Sequence, residues 1–272
     1  MSLAAIDPNQ AAQELTGRDY ISWSAISTFR QCPLRYYFRY VLGLPEETIS
    51  GSLLFGSAIH AAVEFYFAEL LAGTTPDVDA LVGVYDAAWQ AREPKSVIGG
   101  KHKAEAELLP LARRMLRAFA ASSFAKPEGT IIAIEEELRG PVVPGCPDLL
   151  ARVDLIVDEG DTLTVTDLKT ARSRWSVDQA RTSAEQLLLY GALARELAPG
   201  KQLRLQFAVV TKSKMPLMDI QAVRADHQAI KRTASILQRV WKAIEAGNFY
   251  PSPSLLNCPT CPYQRPCRSW TG

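Results

Sequence analysis

Near residue 130 the hydrophobic pattern of this 272-residue chain changes period. Upstream, apolar residues recur at helical spacing. Downstream come three runs rich in β-branched residues, "TIIAIEEELRG", "LLARVDLIVDEG" and "TLTVTDLKTA", which read as strands. The turn signal "DEGD" makes the last two a hairpin. "SVDQARTSAEQLLLYGALARELAPG" then reads as a helix, "LRLQFAVVTK" and "MDIQAVRA" as strands, and "DHQAIKRTASILQRVWKAIEAGNF" as a long helix N-capped by Asp226. This order excludes a Rossmann repeat and predicts an α/β domain with a helical insertion. With 47% apolar residues the chain has the material for a sizeable core.

Upstream of the switch, residues 1–20 read as a leader. "SWSAISTFRQCPLRYYFRYVLGL" is a helix with Ser22 or Ser24 as N-cap, ended by Gly43 and Pro45. "GSLLFGSAIHAAVEFYFAELLAG" is a second helix, stopped by Gly73, and residues 77–125 hold two or three more, with a loop around "EPKSVIGGKH". No run of about 18 apolar residues suggests a membrane span. No basic segment followed by an apolar one opens the chain. The expected compartment is the cytoplasm, where five cysteines point to metal or chemistry rather than disulfides. The formal net charge of +1 announces no anionic partner, but residues 201–250 carry nine Lys/Arg against three Asp/Glu. That local basic face fits either a solvated surface or a polyanion. No G-x-x-x-x-G-K-[ST] loop is present, so unwinding of a duplex is expected from another protein.

The hairpin holds the sharpest chemistry. A turn centred on Glu159-Gly160 sets Asp154 opposite Val165, with Asp167 its diagonal neighbour on the same face. Lys169 shares that face, two residues on. Two carboxylates and an ammonium in one small volume suit a hard divalent cation, Mg²⁺ or Mn²⁺, with the lysine stabilising developing charge or positioning water. The same residues also fit a surface hairpin with an Asp167–Lys169 charge pair. His60, in "GSAIH", fits a core histidine or a ligand. Gln186 and Tyr190 share a helix face at i, i+4 and fit an ordinary polar edge. Glu135, Glu136 and Glu137 lie on the preceding strand; one of them could face the metal site, but the sequence leaves the register open and they are set aside.

In the tail "NCPTCPYQRPCRSW", Cys258, Cys261 and Cys267 each have a proline beside them, and three thiolates leave a four-ligand site one short. Cys146 reads as a buried or semi-buried thiol.

Taken in order, "GSAIH", "RVD", "TDLK" and "QLLLY" resemble the PD-(D/E)xK nuclease superfamily. The likeness is to its RecB-like branch, with the RecB and AddB nuclease domains, the CRISPR-associated RecB-like exonucleases and exonuclease V, and it runs from about Ser22 to Cys267. The resemblance implies an α/β restriction-endonuclease-like core, a central mixed β-sheet flanked by helices. It makes residues 21–272 one nuclease domain, with an insertion over 74–125 and a catalytic core over 130–246. It further implies His60, Asp154, Asp167 and the Leu168 carbonyl as metal ligands, Lys169 as catalytic lysine, and Gln186 and Tyr190 as positioning residues. From the family's iron–sulfur subset it implies Cys32 as the missing fourth ligand of a 4Fe–4S cluster with Cys258, Cys261 and Cys267, clipping the N- and C-terminal regions together; zinc is the alternative on ligand count. Asp167 stands where Glu is commoner. Pro147-Asp148 lies outside the hairpin and is set aside.

The implied activity is metal-dependent exonucleolytic cleavage of single-stranded DNA or splayed ends, in repair, recombination or CRISPR adaptation, beside a helicase or CRISPR adaptation proteins. Arg30, Arg35 and Arg39 beside Tyr36, Tyr37 and Phe38 fit either strand binding or a ringed core. Arg113, Arg114 and Arg117 fit a helical arch over the site. A DNA-binding subunit with little activity of its own, and a zinc-stapled protein with a structural hairpin, are the alternatives.

Overall fold

The computed structural model describes residues 7–91, 96–98 and 105–272. The expected loop around "EPKSVIGGKH" lies largely outside them. The chain divides into two compact units: residues up to Thr48, Glu137–Ala151 and Asp226–Gly272 form one, and Ile49–Glu136 with Arg152–Ala225 the other.

In the first unit, α1 (Pro8–Thr16) starts at Asp7, whose carboxylate accepts the Asn9 N–H, so the segment read as a leader contains a helix. β1 (Tyr20–Ser22) runs parallel to the opening of β5 (Asp148–Asp158), with Tyr20 beside Asp148 and Ser22 beside Leu150. Ser22 caps α2 (Trp23–Gln31). The expected single helix breaks at Cys32, which is extended because Pro33 follows. It resumes as α3 (Pro33–Tyr36) and a π-helical turn at Tyr37–Val41. Phe29, Tyr36 and Phe38 are buried, and Tyr37 stacks on Phe249 at 4.9 Å. Tyr36 and Phe38 are therefore core, which removes them as a stacking platform for bases, while Tyr37 is half-buried.

β2 (Thr48–Ser50) leads into α4 (Gly51–Leu71), α5 (Val78–Gln90), β3 (Ser96–Ile98), which pairs with β2, and α6 (Glu105–Ala120). The second unit is a layered α/β structure. β4 (Thr130–Gly140) pairs with β5, and β6 (Thr162–Ala171) is antiparallel to β5. The helix expected between the strands divides into α7 (Val177–Thr182) and α8 (Glu185–Ala194). β7 (Gln202–Thr211) is parallel to β6 and antiparallel to β8 (Met218–Val223), so the sheet is mixed.

Strand alternation sorts its two faces. Leu155, Val157, Leu168, Ala208 and Val210 pack under α4, α5 and α6 in one apolar cluster. On the other face Leu203 and Leu205 press on α8 so closely that a Cβ on Gly191 would come within 2.8 Å of Leu205. The helices of residues 74–125 thus share the main core. α4 is long and apolar enough to cross a membrane by length and composition alone, with a mean hydropathy of 1.3, where the sequence suggested no such segment. Here its Phe55, Ile59, Val63 and Phe67 lie in that core. The chain continues in the first unit with α9 (His227–Glu245), capped by Asp226, and the short α10 (Gln264–Arg268).

Candidate active site

The β5–β6 ladder pairs Asp158 with Leu163, Ile156 with Val165, and last Leu155 with Thr166. Val165 therefore faces Ile156, not Asp154. The loop is two residues longer than a turn on Glu159-Gly160 requires: Asp158 Oδ1 accepts the Gly160 N–H, Gly160 takes φ +82°, and the Glu159 N–H bonds the Thr162 carbonyl. One step past the last pair, the register sets Asp154 across from Asp167. There the strands part, and the Leu168 N–H donates to Asp154 Oδ2 at 2.6 Å.

Asp154, Asp167 and Lys169 share the face toward α8. Lys169 Nζ lies 2.5 Å from Asp167 Oδ2 and 3.5 Å from Gln186 Oε1. The Gln186 amide donates to Tyr190 Oη at 3.0 Å, which turns its carbonyl oxygen toward the lysine. Asp167 is 4% exposed. Burial pushes its pKa up to about 6, against the pull of Lys169, and the Asp154 charge adds to the rise.

His60 reaches the site from α4, its Nδ1 3.6 Å from Asp154 Oδ1 and 3.8 Å from Glu135 Oε1. Burial alone would lower its pKa, but the two carboxylates outweigh it and raise it to about 9. Burial likewise opposes ionisation of Asp154, yet His60 and the Leu168 N–H hold its pKa below the usual value.

Glu135 was not singled out in the sequence. It carries φ +48°, the one positive value at a non-glycine position among the described residues. Burial in β4 falls on Ile131 and Ala133 before it and on Leu138 after it. A bulge of this kind resets the alternation and re-aims a side chain. Glu135 thereby meets His60, and its Oε2 takes Arg152 Nε at 2.7 Å. A run of three glutamates inside a strand was the only signal of it.

Ligand atoms of His60, Glu135 and Asp154 lie within 4.8 Å of one another, a donor set that fits a hard divalent cation. His60 and Glu135 border an open hollow of about 650 Å³, together with Lys169, Lys212 and Ser52. As ligands, His60 and Asp167 would have to give up their protons, so their protonated forms would compete with such a cation. Both pKa values are raised, so protons leave as pH climbs through about 6 and about 9. Mn²⁺ affinity, measured by calorimetry, is expected to rise from pH 6 to 9, by up to about tenfold per pH unit for each proton released. A flat profile would remove His60 from the ligand set. With no cation bound, the His60 contribution to stability is full below its usual 6.5 and is lost as pH rises through about 9.

The expected iron–sulfur site requires correction. Cys32, Cys258, Cys261 and Cys267 border one apolar hollow. Among the described residues, however, no three of their sulfurs converge within 4.8 Å; the only such group of His, Cys, Asp and Glu ligand atoms is the one at His60. All four are free thiols. Cys32, Cys261 and Cys267 pack against Leu34, Phe38 and Tyr263, and burial raises the pKa of Cys261 and Cys267. Cys32 and Cys258 instead accept N–H groups of Ser252 and Ser254. The 4Fe–4S cofactor and the cysteine clip are withdrawn, and the zinc alternative falls with them. Cys146 is buried, as expected.

Carboxylates and a lysine where two strands of a mixed sheet part, joined by a helix-borne histidine, form a candidate site with the donor set for a divalent cation. Comparison with protein-family models agrees: residues 20–268 match the PD-(D/E)XK nuclease superfamily. The chain belongs to that superfamily, and its core is the α/β restriction-endonuclease-like fold. Among solved structures, a candidate exonuclease from Eubacterium rectale is similar over 100% of this chain and 94% of its own, at 16% identity and a TM-score of 0.60, a likeness of fold. SSO0001 aligns over 89% of this chain and 93% of its own, at 16% identity and a TM-score of 0.33. The search of curated proteins finds no match.

Proposed function

We propose that the protein is a RecB-like exonuclease that hydrolyses single-stranded DNA, or the splayed strands of a duplex end, with Mg²⁺ or Mn²⁺. The observation that carries this is the convergence of His60, Glu135 and Asp154 beside the buried Asp167–Lys169 pair. The proposed ligands are His60, Asp154, Asp167 and the Leu168 carbonyl, with Glu135 added by its position. When bound, the cation supplies Lewis-acid polarisation of the phosphate and a more acidic water. Lys169 is the catalytic lysine: its ammonium faces charge that builds on the phosphate and orients the attacking water. Gln186 and Tyr190 hold that ammonium in place. A helicase or CRISPR adaptation proteins are the proposed partners, repair, recombination or CRISPR adaptation the proposed setting, and the cytoplasm the proposed compartment.

The test is digestion of end-labelled single- and double-stranded DNA with Mg²⁺, with Mn²⁺ and with EDTA, using Asp167→Ala as control. The expected result is progressive loss of single strands from an end, only with metal, and none with Asp167→Ala. DNA retention without turnover under every condition favours the binding-subunit alternative instead. Loss of duplex at the same rate as single strand counts against strand selectivity.

A further inference from the structure

Beyond the hollow stands a row of cations that the chemistry above does not use. β6 and β7 end together: Ala171 pairs with Thr211, and the Lys212 N–H donates to the Ala171 carbonyl at 2.6 Å. Arg172 and Arg174 leave one strand end, and Lys212 and Lys214 the other. None of the four takes part in an ion pair among the described residues. At the opposite end of the same strands the cations are neutralised, Lys201 by Asp158 at 2.5 Å and Arg204 by Glu159. Arg172 and Lys212 are close enough to repel each other, and among the described residues none of the four is neutralised by a carboxylate partner.

Lys212 is the inner end of this ledge. Its Nζ donates to Ser52 Oγ at 3.0 Å and stands 5.3 Å from the centre of the Phe55 ring. Burial and the charge of Arg172 both lower its pKa. An ammonium partly withdrawn from water beside a like charge is held at a cost that an anion would relieve. Lys212 and Ser52 border the same hollow as His60, Glu135 and Lys169. Ser52 stands in the first turn of α4, whose N-cap Ser50 makes no side-chain cap, so first-turn N–H groups remain for an anion.

We propose that Lys212 and Ser52 hold the phosphate next to the scissile one, and that Arg172, Arg174 and Lys214 carry the following phosphates. The strand then crosses the joint end of β6 and β7. This path rests on the nuclease reading and adds a direction to it: one side of the cut is gripped by charge.

The experiment is fluorescence anisotropy of a labelled single-stranded oligonucleotide in EDTA, where no cleavage occurs, across about 50 to 200 mM salt. Lys212→Gln is expected to weaken binding about fivefold or more and to flatten the log K against log salt slope by about 0.7, the value for one phosphate on a single strand. The Arg172→Gln/Arg174→Gln double variant, at two exposed positions, flattens it by about 1.4. Lys212→Arg keeps the slope, and Lys231→Gln, an exposed lysine of α9, changes neither quantity. Should Lys212→Gln not fold, the exposed double variant decides alone. Wild-type binding with unchanged slopes in the ledge variants, or equal loss in Lys231→Gln, overturns the path and spares the nuclease reading. Failure of the wild type both to bind and to cleave DNA overturns both.

Discussion

Lys169→Ala is expected to lower the cleavage rate by about 10³-fold and to raise the metal concentration needed for half-maximal activity. Both effects trace to one ammonium. Preorganised charge aimed at a developing oxyanion accounts for about 10²–10³ in rate when it is deleted. Lys169 Nζ also lies 2.5 Å from Asp167 Oδ2, and it is the cation that restrains a carboxyl whose pKa burial has already lifted to about 6. Without it the Asp167 pKa rises further, and near neutral pH more of the protein carries a proton where a ligand is needed. The two contributions separate by titration: saturating Mn²⁺ restores the second and not the first. Lys169→Arg keeps the charge but not the compact donor, and recovers part of the rate. A Lys169→Ala enzyme within tenfold of wild type at saturating metal would remove the lysine from the chemistry.

The largest stability effect falls away from the site, at Phe119. This ring is 1% exposed on α6 and meets Tyr66, Phe67 and Phe124 edge-on at 5.0, 5.7 and 6.0 Å. Phe119→Ala loses the transfer free energy of the ring and leaves a cavity between α4 and α6, together costing about 3–5 kcal/mol. Against a total stability of about 5–15 kcal/mol, that is a large share. The thermal midpoint is expected to fall by on the order of 10 °C. Leu255→Ala, at a side chain 97% exposed, changes it little. A Phe119→Ala midpoint equal to that of Leu255→Ala would mean that this corner of the unit is not packed as described. Activity at low temperature survives, since Phe119 touches none of the site residues.

What the sequence disclosed depended on period. The five strands from β4 to β8 were legible because alternation and β-branching mark them within a residue or two. The hairpin register was read two residues away from where it lies, yet Asp154, Asp167 and Lys169 were still assigned to one face. A slip of two preserves faces where a slip of one inverts them. What failed was whatever depended on a single backbone angle or on distance. The left-handed turn at Glu135 leaves no mark on composition, so a residue within reach of His60 was passed over. The cysteine spacing suggested a ligand set, but spacing along a chain does not bring sulfurs together, and three of the four lie against an apolar patch. Tyr36 and Phe38 read as either stacking surface or interior; with both rings buried, they are interior.

The forked hairpin gives the centre unequal halves. β6 is tied to β7 through ten successive pairs, from Thr162–Gln202 to Ala171–Thr211, whereas its ladder to β5 stops after four. Asp167 and Lys169 therefore ride on a strand paired along its length to β7, while Asp154 stands just beyond the β5–β6 ladder, on a strand that β4 pairs from the other side, with its carboxylate on the Leu168 amide.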